Sequence, residues 1–167
     1  EKSDIISEDK KKLEFDGKIE FKNVFFKYQD TQIDGMENIS FIINPGESLG
    51  IIGSTGSGKS TIANSLLRLF DVDKGEILID EINIKNLDIT HFRKQIGYVP
   101  QDVFLFSDTI ENNILFGSEN KDFKSVEEAA INADLMRNIN SFPEKFNTKI
   151  GERGITLSGG QKQRVSI

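Results

Sequence analysis

Apolar residues along the chain change their spacing, and the change predicts strands first and helices later. Alternating apolar positions mark a half-buried strand from Ile19 to Tyr28 and a second strand over Ile39, Phe41 and Ile43. Asn44-Pro45-Gly46-Glu47 has Pro second and Gly third, as a type II turn requires. Short apolar runs predict three further strands, at Ser48–Ile52, Glu76–Asp80 and Ile96–Val99.

Helical spacing begins after the predicted strand Ser48–Ile52. The segment from Lys59 to Phe70 predicts an amphipathic helix, and strong helix formers make 109–140 helical. The apolar face of the helix predicted at 59–70 comprises Ile62, Ala63, Leu66, Leu67, Leu69 and Phe70. Residues 1–17 lack apolar periodicity and predict a linker, so order is expected from Lys18. Strand and helix mix around residues 48–70, which predicts an α/β fold.

Composition narrows the class of protein. The chain has 167 residues, of which 37% are hydrophobic, so it is one domain or most of one. No apolar run approaches the roughly 20 residues that span a bilayer, and these residues are expected to be soluble. The absence of Cys excludes disulfides and thiolate metal sites, and a net charge of −6 opposes a nucleic-acid-binding face. Lys10–Lys12 indicates a solvated linker rather than a lipid contact.

The run from Gly53 to Ser60 matches the phosphate-binding loop G-x-x-x-x-G-K-[ST], between a predicted strand and a predicted helix. Small residues let successive backbone N–H groups point at a phosphate, and the helix dipole adds to their attraction. Lys59 is predicted to reach the β and γ phosphates of ATP, and Ser60 to bind Mg²⁺. The candidate ligands here are Gly53, Ser54, Thr55, Gly56, Ser57, Gly58, Lys59, Ser60 and Thr61.

A second informative run, Leu157-Ser158-Gly159-Gly160-Gln161, predicts another helix start. Ser158 is a good N-cap, and the glycines leave backbone amides open to an anion. Taken alone, such a run is more often a plain cap than a ligand site. Downstream of a phosphate-binding loop, it resembles the hallmark Leu-Ser-Gly-Gly-Gln run of the ATP-binding cassette (ABC) family. The resemblance implies a P-loop core sheet with an antiparallel β subdomain and an α-helical subdomain.

The resemblance also implies roles for two residues outside these runs. Tyr28 lies where the family places an aromatic residue that stacks on adenine, although it could instead pack within a sheet beside Phe25 and Phe26. Gln101 resembles the family glutamine that reaches Mg²⁺ and the attacking water. Two such domains close head to tail in this family. ATP bound to one domain would therefore meet Ser158, Gly159, Gly160 and Gln161 of the other domain.

Two further segments resemble those of ABC exporters. They are Gln101–Gly117 and Gly151-Glu152-Arg153-Gly154, and the resemblance implies that they touch the coupling helices of a transmembrane domain at the cytoplasmic face of the cell membrane. Glu152 and Arg153 could alternatively form an exposed ion pair of little weight. An importer subunit, an ABC protein acting on DNA or the ribosome, and a non-catalytic nucleotide-binding module remain alternatives.

The family's second acidic motif, a strand ending Asp-Glu, normally follows the Leu-Ser-Gly-Gly-Gln run, and the chain ends at Ile167. Residues 18–167 are therefore expected to be the N-terminal part of such a domain, with an incomplete core sheet and an open edge. The run Ile77–Glu81 imitates the motif but lies where the family has an antiparallel strand. His91 precedes Gln101 and is not the family's switch histidine. Nucleotide binding with little hydrolysis is expected.

Overall fold

The computed structural model describes residues 14–118, 122–151 and 156–167. The chain forms two compact units, one up to Ile96 and one from Gly97. The first unit combines a sheet with the helix that follows the glycine loop, and the second is helical. The predicted antiparallel β part and α-helical part are both confirmed.

A four-stranded antiparallel sheet forms the first unit's framework. Its strands are β1 (Ile19–Lys27), β2 (Asp34–Ile43), β3 (Lys74–Ile79) and β4 (Ile82–Asn83), in the order β2-β1-β3-β4. On β1, Phe21, Val24 and Phe26 are buried, as its pattern predicts, whereas β3 buries three consecutive residues, Ile77, Leu78 and Ile79. Gly46 has a φ of 79° and the N–H of Glu47 donates to the carbonyl of Asn44, as in the predicted turn.

The Asp80-Glu81 pair is a hairpin turn between β3 and β4. Both residues have a positive φ, of 46° and 67°, which the tight connection of a two-residue hairpin requires. The Asp80 carboxylate accepts hydrogen bonds from the backbone N–H groups of Asp16, Gly17 and Lys18. This acidic pair is structural, and the predicted antiparallel strand is confirmed.

Helix α1 (Lys59–Leu66) packs Ile62 and Leu66 on the sheet, against a core with Phe26 and Phe70. The prediction that this helix extends to Phe70 is wrong, and Leu69 is exposed. Arg68 adopts a positive φ of 48°, which ends the helical backbone. Arg93 then donates to the carbonyls of Leu67 and Arg68, which replaces the hydrogen bonds of a further turn.

Two predicted strands do not form. Ser48–Ile52 and Ile96–Val99 are irregular, and Ile52 is 98% exposed. A lone extended segment leaves its N–H and C=O groups unpaired, so it is a strand only beside a neighbour. Within the described residues, neither segment has such a neighbour in the sheet. The strands expected at these two segments for a core sheet therefore do not form among the described residues, and Leu49, Ile51 and Ile52 are exposed.

Helices dominate the second unit. The helical pattern predicted for 109–140 forms as α3 (Ile110–Ile114), α4 (Phe123–Asn132) and α5 (Met136–Ile139), and α6 (Gly159–Ser166) follows them, whereas α2 (Ile89–Lys94) belongs to the first unit. The second unit's core includes Ile110, Val126, Ile139 and Val165. None of the helices seen in the described ranges has the length and apolar character of a bilayer span.

Candidate nucleotide-binding site

The phosphate-binding loop curls through two left-handed glycines in front of α1. Gly56 and Gly58 have φ values of 81° and 85°, and Gly58 is the N-cap of the helix. A Cβ on Gly58 would lie 2.1 Å from the carbonyl oxygen of Gly35 on β2. Glycine is therefore required at position 58 both by backbone conformation and by the close approach of a neighbouring strand.

Lys59 folds back along the loop that precedes it. Its ammonium group donates to the carbonyls of Gly53 at 2.9 Å and Ser54 at 2.6 Å, and to Ser57 Oγ at 3.3 Å. These contacts place the cation at the centre of the curled loop. The positive charge is therefore concentrated where the loop is to receive phosphates.

The donors around this loop fit a nucleoside triphosphate. The first-turn N–H groups of α1 have no partner within a helix, and the Ser60 hydroxyl is exposed beside them. Gly56 has no atom within 4 Å of a hypothetical Cβ, so the loop face beside it is open. Backbone donors, one ammonium and one hydroxyl are the groups that bind phosphate oxygens and, through Ser60, a phosphate-bound Mg²⁺.

A cation at this site depends on the nucleotide as well as on the protein. No group of three or more His, Cys, Asp or Glu residues is arranged to hold a metal ion in the part of the chain that is described. Mg²⁺ commonly uses one or two protein ligands together with substrate phosphates. The residues present fit such a site, with Ser60 as the protein ligand in the first unit.

Tyr28 lies beside the loop. Its hydroxyl and Thr61 Oγ1 are 3.0 Å apart in a hydrogen bond, and its ring packs edge-on against Phe26 with centroids 4.9 Å apart. The side chain is 36% exposed, so packing and solvent access coexist. Backbone hydrogen bonds from Tyr28 to Ile33 and from Gln32 to Tyr28 hold the turn on which it sits.

Tyr28 and the P-loop line one open cavity of about 230 Å³. Its wall from the β1–β2 connection includes Ile33, Asp34 and Gly35, and the facing wall is Gly56–Thr61. Sequence reasoning missed Ile33, Asp34 and Gly35, because they belong to no motif. Only the pairing of β1 with β2 brings them to the loop.

The remaining predicted ligands belong to the second unit. Gln101 is exposed on an irregular segment after Pro100. Gly151 is described, whereas Glu152, Arg153 and Gly154 lie outside the described residues. The roles inferred for these residues stay predictions.

The Leu157–Gln161 run starts a helix as predicted. Ser158 Oγ accepts from the N–H of Gln161 at 3.3 Å, and Gln161 Oε1 accepts from the N–H of Ser158 at 2.8 Å, which is a capping box. Gly159 and Gly160 have no positive φ, and a Cβ on either would meet no described atom within 4 Å. The described residues give no local reason for two glycines in this turn.

Comparison with known proteins agrees with the motifs. The ABC transporter family matches residues 36–167. A bacterial relative, the uncharacterized ABC transporter ATP-binding protein YfiB of Bacillus subtilis, is 44% identical over 151 residues, which cover 90% of this chain and 26% of the relative. ATP-binding cassette sub-family B member 6 of Xenopus tropicalis is 48% identical over 151 residues, which cover 90% of this chain and 18% of the relative.

A solved structure of an ABC exporter also matches this chain. The structure of a bacterial Atm1-family ABC exporter with ATP bound superposes with a TM-score of 0.88 and 38% identity, and the match covers 96% of this chain and 28% of that one. The chain thus spans 18% to 28% of the length of these proteins. The resemblance seen in the motifs is confirmed, and the chain belongs to the ABC transporter family.

Proposed function

We propose that this chain provides the ATP-binding part of an ABC exporter, in which nucleotide binding and hydrolysis drive export through a transmembrane domain. The observation that carries the proposal is the shared cavity of Tyr28 and the P-loop. An aromatic ring beside a phosphate-binding loop provides a place for a base and a place for phosphates on one unit. The similarity to the Atm1-family ABC exporter supports the direction of transport.

Each residue at the site has a defined task in this proposal. The Tyr28 ring stacks on adenine, the N–H groups of the loop hold phosphate oxygens, and Lys59 offsets phosphate charge. Ser60 would ligate Mg²⁺, which when bound supplies positive charge beside the β and γ phosphates. The role of Gln101, on the second unit, remains the one that the family resemblance implies. We expect residues 1–167 on their own to bind nucleotide with little turnover.

A second nucleotide-binding domain is the proposed partner at Ser158–Gln161. Gly159 and Gly160 lower helix propensity without any local benefit in the described structure. An approaching phosphate supplies the missing reason, because glycine leaves the backbone N–H groups accessible. The proposed contacts with the coupling helices are residues 101–117 and 151–154, and they lie at the cytoplasmic face of the membrane. Residues 1–17 are the proposed linker to the transmembrane domain.

The experiment compares Lys59→Ala with the matched control Lys27→Ala. Lys27 is an exposed lysine at the end of β1, outside the cavity wall. Binding of MgATP to the chain is measured by titration calorimetry. We expect Lys59→Ala to weaken binding by roughly ten- to a hundredfold, as the loss of a charged hydrogen-bond donor implies, and Lys27→Ala to leave it unchanged. Equal affinities in the two variants would falsify the proposed site.

Turnover is measured separately. We expect no phosphate release above background from the 167 residues. Release that Lys59→Ala abolishes would contradict the expected lack of turnover and leave the binding site in place.

A further inference from the structure

We propose that Gly35 is the residue that positions Tyr28 over the P-loop. Gly35 lies on β2, outside every motif, and its backbone forms part of the cavity wall. The inference rests on the proposed nucleotide site and adds a residue that sets its geometry. Gly35 acts through Tyr28, so it is a positioning residue.

Three side chains crowd the space that a side chain at position 35 would need. A Cβ there would lie 2.9 Å from Tyr28 Cε2, 3.0 Å from Thr61 Cγ2 and 3.1 Å from Phe26 Cδ1. Real Cβ atoms avoid such distances, so one neighbour has to move when Gly35 is replaced. Gly35 has no positive φ, so the requirement for glycine is one of space.

Tyr28 is the neighbour able to move. Phe26 is 8% exposed and stacks on Phe70 with centroids 3.9 Å apart and planes 14° apart, so the core holds it. Thr61 is 5% exposed and belongs to α1. Tyr28 borders the open cavity and is the most exposed of the three. A methyl group at position 35 therefore displaces the tyrosine ring.

Displacement of the ring breaks its connection to the P-loop helix. The bond between the Tyr28 hydroxyl and Thr61 Oγ1 is 3.0 Å long, and Thr61 lies in the same first turn as Lys59. The carbonyl of Gly35 also faces Gly58, where a Cβ would come within 2.1 Å. Gly35 thus lies against both the aromatic ring and the phosphate-binding turn. The distance between the Tyr28 ring, where the base is proposed to stack, and the phosphate-binding turn therefore depends on Gly35.

The first test uses two ligands, MgATP and inorganic tripolyphosphate, which lacks a base. Gly35→Ala is expected to weaken MgATP binding by about tenfold, the order of one lost base-stacking contact, and to change tripolyphosphate binding by less than about twofold. Gly50→Ala is the matched control, since Gly50 has no atom within 4 Å of a Cβ and no positive φ. Equal loss for both ligands, or no loss for either, overturns the inference.

The second test is a double-mutant cycle with Tyr28→Ala. If Gly35 acts through Tyr28, the tenfold effect of Gly35→Ala disappears in the Tyr28→Ala background. A penalty that persists there means a direct contact with nucleotide or a general fold defect, and it overturns the inference. Should Gly35→Ala lower the unfolding temperature, Gly35→Ala/Tyr28→Ala is expected to recover it. A failure to recover assigns the strain to Phe26 or Thr61 and also overturns the inference.

A spectroscopic readout needs no nucleotide. The chain has two tyrosines and no tryptophan, so Tyr98→Phe leaves Tyr28 as the only strong fluorophore. Gly35→Ala in this background is expected to change the Tyr28 emission, because the phenol loses its bond to Thr61, and Gly50→Ala is expected to leave it unchanged. An unchanged emission overturns the inference. Wild-type chain that binds MgATP no better than tripolyphosphate contradicts the proposed function instead.

Discussion

Asp80 and Lys18 are joined by two hydrogen bonds of opposite direction. The Asp80 carboxylate accepts the N–H of Lys18 at 2.8 Å, and the N–H of Asp80 donates to the Lys18 carbonyl at 2.9 Å. The second carboxylate oxygen accepts the N–H of Asp16 at 2.8 Å. The hairpin turn between β3 and β4 therefore anchors the segment that leads into β1.

Asp80→Ala is expected to lower the free energy of unfolding by about 2 kcal/mol, because several backbone N–H groups lose their acceptor and alanine is strained at this positive φ. Chemical denaturation measures the loss. Glu81→Gln is the control, since Glu81 makes only an exposed ion pair with Lys18, and it should change stability by less than about 0.5 kcal/mol. MgATP affinity is expected to stay constant in Asp80→Ala. A selective loss of nucleotide binding would contradict the structural role.

Arg93→Ala is expected to destabilise the first unit by about 2 to 3 kcal/mol. Arg93 Nε and Nη2 donate to the carbonyls of Leu67 and Arg68 at 2.9 and 2.7 Å, and both residues are buried. Arg93→Lys should recover only part of the loss, because an ammonium lacks the fork that reaches two carbonyls. Denaturation of both variants is compared with that of Arg137→Ala, an exposed arginine. Equal losses in all three would refute the capping role.

Gly160→Ala separates helix capping from partner contact. The substitution meets no described atom and favours helix, so the free energy of unfolding is expected to stay constant or rise by up to about 1 kcal/mol. If a partner's nucleotide approaches this backbone, MgATP-dependent association in analytical ultracentrifugation is expected to fall. The exposed Gln163→Ala on the same helix is the control. A large loss of stability would show instead that Gly160 has a structural purpose.

Asp108 makes stability sensitive to acid. The Asn112 amide and the Thr109 N–H donate to its carboxylate, and they hold its pKa below the ordinary 3.8, with Lys149 adding attraction. A folded pKa below the unfolded one gives stability that is present above pH 3.8 and lost as the pH falls toward the lowered value. Unfolding free energies measured between about pH 5 and about pH 3 are expected to decline less steeply in Asp108→Asn than in wild type. A steeper decline in the variant would contradict the sign.

The exposed apolar segment 48–52 is expected to promote self-association. Ile52 is 98% exposed in an apolar run without a strand neighbour among the described residues. Ile52→Lys should raise the concentration at which light scattering detects association by roughly tenfold, the order of one buried isoleucine. Ser48→Lys adds the same charge at an exposed polar position and is expected to have a smaller effect. A monodisperse wild-type monomer at high concentration would count against self-association through residues 48–52.

Local motifs were the predictable part of this molecule. The loop from Gly53 to Ser60, the cap at Ser158 and the turn at Pro45-Gly46 depend on residues close in sequence. Their backbone conformations follow from glycine, proline and serine chemistry, and the structure confirms them. Tyr28 was also singled out by its place before the loop, and the structure puts it in the cavity beside the loop, while its role in stacking stays a prediction.

Contacts between distant segments were not predictable. Leu69 continued the helical spacing, but Arg93, which donates hydrogen bonds to the carbonyls of Leu67 and Arg68 at the end of that helix, lies in a different element. Ser48–Ile52 had strand composition without a neighbour to pair with. Gly35 became meaningful only when β1 and β2 brought Tyr28 and Thr61 against it. In each case the deciding partner is far away along the chain.

The inward-folded ammonium of Lys59 makes nucleotide binding a competition. Two carbonyls and one hydroxyl already accept hydrogen bonds from it, at N–O distances of 2.6 to 3.3 Å. An arriving phosphate therefore exchanges with these acceptors and does not simply add a contact, so affinity measures only the difference between the two sets. The calorimetric enthalpy of triphosphate binding should accordingly be smaller than a count of the new hydrogen bonds suggests.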